Sequence, residues 1–184
     1  MPELVLEKGR PKNLKGRSQR EIRVYDLLDS LGIGYERIDH ERADTMEACL
    51  AVDEAIHAAI CKNLFLCNRQ QTEFYLLMMP GEKKFKTKEL SHQIGSARLS
   101  FAGEEFLEKY LDIHPGSVSV MGLMNDHDHH VQLLIDRELL KEEYFGCHPC
   151  ENTSSLRIRL SDLMEKFLPA VRHEALFVDL TGED

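Results

Sequence analysis

The sequence predicts a mixed α/β (α+β) fold, a largely antiparallel, barrel-like sheet flanked by helices. Three observations carry this expectation. Short runs such as IGYERIDH, AICKNLFL, EFYLLMMP, VQLLID, SLRIRL and ALFVDL have strand character, and helical patterns interrupt them without a steady β-α-β rhythm. AICKNLFL and EFYLLMMP are separated only by the turn-like NRQQT, the spacing of an antiparallel hairpin. A chain of 184 residues with 42 % hydrophobic content can bury one full core.

In chain order, residues 1–17 are rich in Lys, Arg, Gly and Pro without periodicity and read as a basic arm ahead of a single domain, 18–184. Ser18 can cap a helix whose apolar positions include Ile22, Tyr25, Leu27 and Leu28, with Gly32 closing it. IGYERIDH then alternates as a strand ending at His40, and Thr45 starts a second helix expected to run to about Ala59. After the hairpin come two helical patterns, KTKELSHQIG and GEEFLEKYLDI, the second stopped by His114-Pro115-Gly116. VSVMGLM and VQLLID read as strands around the polar turn NDHDHH. SLRIRL places Leu156, Ile158 and Leu160 on one face and Arg157 and Arg159 on the other. Ser161 is expected to cap a last helix, SDLMEKFL, before the closing strand ALFVDL.

Acidic residues outnumber basic ones by 32 to 23, so the whole molecule repels phosphate backbones unless positive charge is gathered locally. Two clusters gather it: Lys8, Arg10, Lys12, Lys15, Arg17, Arg20 and Arg23 near the N-terminus, and Lys83, Lys84, Lys86 and Lys88. They suit a footprint on structured RNA, or are solvated surface charge. No apolar run reaches the roughly 20 residues that cross a bilayer, and no signal-peptide core is present, so no membrane partner and a cytoplasmic location are expected. In a reducing cytosol Cys49, Cys61 and Cys67 read as small buried apolar groups.

Strand parity singles out Lys62. It shares a face with Ile60, Leu64 and Leu66, while Cys61, Asn63, Phe65 and Cys67 share the other. An ammonium in line with aliphatic side chains needs a substrate phosphate or internal carboxylate, unless it snorkels out at the strand end. In HPGSVS, 114–119, a Pro-Gly turn can present backbone amides to an oxyanion, with Gly116 allowing close approach, or be only a turn.

FGCHPCENTSSL, 145–156, admits several readings. Cys147 and Cys150 have zinc-ligand spacing, but no second pair is evident, and the histidines of NDHDHH belong to a solvated turn. A redox pair wants its first thiol at a helix N-terminus, and here a strand follows. What remains is a loop carrying His148 beside Pro149, with Asn152 and Thr153, which lines a polar pocket or merely satisfies its own histidine.

KNLFL at 62–66, HPGSVSVMGLMND at 114–126, LLID at 133–136 and HPCENTSSL at 148–156 stand in an order that resembles the YbaK-like aminoacyl-tRNA editing superfamily. Within it the chain is most similar to the freestanding homologues of the prolyl-tRNA synthetase insertion domain, over about 18–180. The resemblance implies a trans-acting hydrolase that clears alanine mischarged onto proline tRNA, without metal or other cofactor. It implies Lys62 as the grip on the terminal adenosine or its phosphate, with Asp136 as a possible partner for it. Gly116, Ser117 and Val118 belong to the loop cradling the ester, where Val120 replaces the proline of some relatives. His148 is implied as the pocket histidine, ordering water or sizing the amino-acid pocket, with Asn63, Asn152 and Thr153 as polar neighbours. The tRNA's own ribose hydroxyl is implied as helping to activate water. The partners implied are the tRNA acceptor end and, as a candidate, prolyl-tRNA synthetase. Editing of cysteine or serine esters, or tRNA binding without catalysis, are the alternatives.

Overall fold

In the computed structural model, which describes residues 3–183, nine strands form two sheets. β1 (Glu7–Lys8), β2 (Tyr35–Asp39), β7 (Tyr144–Cys147) and β8 (Ser154–Arg159) make an antiparallel sheet in the order β1-β2-β8-β7. β3 (Cys61–Cys67), β4 (Phe74–Pro80), β5 (Ser100–Phe101), β6 (Val131–Asp136) and β9 (Ala175–Val178) make the other, in the order β5-β3-β4-β6-β9. The expected β3–β4 hairpin is present, with Lys62 opposite Met79. β4–β6 and β6–β9 are parallel, reached by long crossovers. The barrel-like expectation is corrected: both sheets are open, and among the described residues a single bridge between Ala59 and Phe145 joins one to the other.

The five-stranded sheet is buried on both faces, which is why β4 reads FYLLMMP without alternation. Phe65, Phe74, Leu76, Met78, Leu133 and Ile135 face the antiparallel sheet and α1 (Gln19–Ser30), meeting Tyr25, Leu28, Phe145, Leu156 and Ile158. Leu66, Leu77, Met79 and Leu134 face the other way, beneath Leu90 of α3 (Thr87–Ile94) and Val178.

Helix boundaries follow local chemistry. The Ser18 side chain accepts from the Glu21 amide, and that of Thr45 accepts from Ala48 to start α2 (Met46–Ile56), which ends early at a left-handed His57. α4 (Glu104–Leu111) closes at a left-handed Asp112, just before His114-Pro115-Gly116.

Three local expectations are corrected. VSVMGLM is not a strand: Val120–Asn125 form a 3-10 helix, with the Ser119 side chain accepting from the Met121 amide. Its Gly122 lies so close to the end of α4 that a Cβ there would sit 3.1 Å from Leu111 Cβ and 2.5 Å from Ile113 Cδ1, so no larger residue fits without a shift. The last helical stretch begins at Leu160 rather than after a Ser161 cap, and Leu163–Phe167 form a π-helical turn. Cys49 is exposed, whereas Cys67 is buried.

The described part of the N-terminal segment is packed against the body. β1 pairs with β2, Pro11 is buried, and Leu14 touches the main core. Its arginines are engaged: Arg10 with Asp26 and Asp29, Arg17 with Glu21 and Asp39, and Arg20 and Arg23 with Asp112. Lys8, Lys12 and Lys15 are exposed.

Candidate functional site

Between α2, the start of β3 and the end of β7 lies a pocket of about 90 Å³. α2 contributes Val52, Asp53 and Ile56, the β3 end contributes Cys61 and Asn63, and β7 with the following loop contributes Cys147 and His148, with Ser155 from β8. The parity of β3 brings Asn63 here: on the alternating strand, Cys61 and Asn63 point to the pocket and Lys62 away from it.

His148 and Asn63 are therefore brought together as expected site neighbours. His148 Nδ1 lies 2.9 Å from the Ser154 carbonyl, which it can only approach as a donor, leaving Nε2 as an acceptor. Burial lowers the His148 pKa below its ordinary value, opposed by that backbone hydrogen bond, so the ring is neutral at neutral pH. The Asn63 Oδ1 is buried without a hydrogen-bond partner.

Gly116 and Asn152 also meet. Gly116 adopts φ +89°, and a Cβ built on it would lie 3.6 Å from Arg42 Nη2 and 3.9 Å from Asn152 Nδ2. Asn152 is buried, donates to the Ala43 carbonyl at 3.4 Å, and leaves its Oδ1 unpartnered. Thr153 is exposed, and its carbonyl accepts from the His40 amide. Ser117 is buried with its amide on the His114 carbonyl, and Val118 packs against the core.

Lys62 and Asp136 are placed apart from the pocket. The Lys62 ammonium donates to the Lys83 carbonyl on the opposite side of β3. Asp136 is not its partner: that buried carboxylate pairs with Lys83 at 2.7 Å and accepts from the Glu138 amide, beginning a 3-10 turn. Lys83 also meets Glu138 at 2.6 Å, so half of the second basic cluster's first pair is neutralised internally, while Lys84 and Lys88 stay exposed.

Three features around these candidate residues escaped sequence reasoning. Asp53 lines the cavity from α2, and burial pushes its pKa up. Its only sequence signal is a carboxylate between Val52 and Ile56, both buried, on the helix's inner face. The Ser155 hydroxyl donates to His40 Nε2 at 3.0 Å, a pairing that joins β2 to β8 across 115 residues and leaves no mark in either local sequence. Arg42, beside Gly116, is tied to Asp44 through Nε at 2.9 Å.

The thiols are not activated. Burial pushes Cys61 and Cys150 up to about 12 and Cys147 higher still, the reverse of what thiolate chemistry needs. They serve as compact apolar wall and core.

Two facing sheets thus hold a small pocket at the junction of β3 and β7, with a histidine loop leading into β8. The chain belongs to the aminoacyl-tRNA editing domain family, whose profile matches residues 40–166. It is 35 % identical over 147 residues to the prolyl-tRNA editing protein ProX of Acetoanaerobium sticklandii, spanning 80 % of this chain and 89 % of that one. It is also 25 % identical over 171 residues to prolyl-tRNA synthetase associated domain-containing protein 1 of Mus musculus, spanning 91 % of this chain and 94 % of that one. A crystal structure of a candidate trans-editing enzyme for prolyl tRNA synthetase shares the fold, with a TM-score of 0.65 at 16 % identity over 89 % of this chain and 99 % of that one.

Proposed function

We propose that this protein hydrolyses the ester of alanine mischarged onto proline tRNA, acting in trans on the released acceptor end. The observation that carries the reading is the pocket: about 90 Å³, with a neutral histidine and an unpartnered amide oxygen at its wall. A small aminoacyl head fits that space, and the bulkier prolyl ring is excluded by volume, which suits a second sieve for a small intruder.

In this reading the ester carbonyl enters beside His148, whose Nε2 accepts a hydrogen bond from the attacking water. The developing oxyanion meets backbone donors of the Gly116 loop, and the leaving group is the ribose hydroxyl, which also helps to activate the water. Lys62 lies between pocket-lining Cys61 and Asn63 in sequence. Its flexible stem exchanges the Lys83 carbonyl for a phosphate of the terminal nucleotide. The chemistry calls on no cofactor. The partner is the tRNA acceptor end, with prolyl-tRNA synthetase a candidate second partner, in the cytoplasm. Among the described residues no helix is long and apolar enough to cross a membrane.

The test is deacylation of Ala-tRNA(Pro) beside Cys-tRNA(Pro) and a serine ester, with chelator-treated protein. Ala-tRNA(Pro) is expected to turn over fastest. His148→Ala is expected to lose most turnover with the fold kept, and Lys62→Ala to raise KM more than it lowers kcat. Tight tRNA binding without ester cleavage would overturn the reading in favour of a binding module.

A further inference from the structure

The pocket wall carries two acceptors that no protein donor satisfies. Asn63 Oδ1 is buried and unpartnered, and the Asp53 carboxylate, half-buried on α2, has no hydrogen bond or ion pair to any described residue. A buried acceptor such as Asn63 Oδ1 left unmade costs free energy, and the half-buried Asp53 carboxylate beside it lacks a counter-charge, unless something else supplies the donors. The basic residues in sequence around α2 do not: Arg42 is spent on Asp44, and Lys62 is on the Lys83 carbonyl across the strand. Burial pushes the Asp53 pKa up with no opposing partner, as expected of a carboxylate lacking a counter-charge.

The complement of a carboxylate and an amide oxygen in a cavity of about 90 Å³ is a compact cationic donor with three N–H bonds. We propose that Asp53 and Asn63 bind the free α-ammonium group of the esterified amino acid, so that the site selects aminoacyl esters with an unblocked amine. This rests on the editing reading above and deepens it. A nascent peptide or formylated amino acid on tRNA, whose nitrogen is an uncharged amide, would be rejected by the same pair, because burying the Asp53 carboxylate against it leaves the charge unpaired.

Two measurements test it. In the first, wild-type protein and Asp53→Asn, a near-isosteric change, are assayed on Ala-tRNA(Pro) and on its N-acetylated form. Wild type is expected to favour the free amine by about 10- to 100-fold in kcat/KM, the span of a charge-assisted hydrogen bond. Asp53→Asn should lose most of that preference, through a raised KM on the free amine and no loss on the acetylated ester. Equal rates on both esters with wild type, or a preference that survives in Asp53→Asn, would overturn the proposal. The second uses L-alaninamide and N-acetyl-L-alaninamide as probes, read by NMR at the Asn63 side-chain amide. Only the first should shift that signal in wild type, and neither in Asp53→Asn. A shift with both probes, or with neither, would overturn the proposal. Alaninamide binding without ester hydrolysis of any tRNA would instead sink the enzymatic reading while leaving the ammonium site standing.

Discussion

At Asp39 three donors converge on one carboxylate: Arg17 through both Nη atoms at 2.9 Å, Arg37 at 3.0 Å and the Ser154 hydroxyl at 2.7 Å. Burial alone would push this carboxyl up, but the hydrogen bonds outweigh it and hold the pKa well below the carboxylate range. Because the folded value is depressed, the stability it contributes is fully present above the unfolded value of about 3.9 and is lost as pH falls through that value towards the folded one. Urea midpoints measured from pH 6 to pH 3 should therefore fall steeply below about pH 4 in wild type, and less steeply in Asp39→Asn. The same network ties β2 to β8 one residue from Ser155 and His40, so acid should loosen the pocket's wall as well.

Among elements, β3 shows how a two-residue period can be read correctly and still leave a partner misassigned. Alternation placed Asn63 with Cys61 and Phe65, and both Cys61 and Asn63 do line the pocket. Alternation also put Lys62 with Leu64 and Leu66, and that face turned out to be covered by α3 and the chain's end rather than to open on the pocket. The anion expected near Lys62 is present in that region but belongs to Lys83, held by the 81–86 turn against β6. Asp136→Ala would leave the Lys83 ammonium, its side chain mostly buried, without its one buried carboxylate partner among the described residues. A loss of about 3 kcal/mol, the low end for breaking a buried pair, is expected in urea unfolding. The exposed Glu138 cannot replace it. The VSVMGLM segment fails as a strand for a related reason: its apolar letters answer to α4 packed on Gly122, a contact that strand propensity does not register.

For the whole molecule, the N-terminal segment matters as structure as well as charge. Arg17 reaches Glu21, Asp39 and the Ser154 hydroxyl, and Pro11 and Leu14 cover part of the core. Deleting residues 1–17 should lower the thermal midpoint as well as weaken tRNA binding. Since the arginines are paired and Lys8, Lys12 and Lys15 are the exposed cations, the salt slope of binding should change by no more than about three phosphate contacts. Measuring both on one truncated protein separates the roles: an unchanged midpoint would make the segment an arm, and a larger slope change would mean its arginines leave their carboxylates on binding.

Read from sequence alone, the chain determined what depends on neighbours a few residues away: the Ser18 and Thr45 caps, the β3–β4 hairpin, the inward face of SLRIRL, and the motifs whose order marks an editing domain. Only the resemblance carried by those motifs suggested that His148 and Asn63 are neighbours, and both line one cavity. Whether the sheets close, who pairs with Asp136, that Asp53 and Ser155 meet in one cavity, and that Arg42 lies beside Gly116 were decided only in three dimensions. Those facts are sums of contacts between segments tens of residues apart, and the energy of such contacts depends on burial and distance that no stretch of sequence contains.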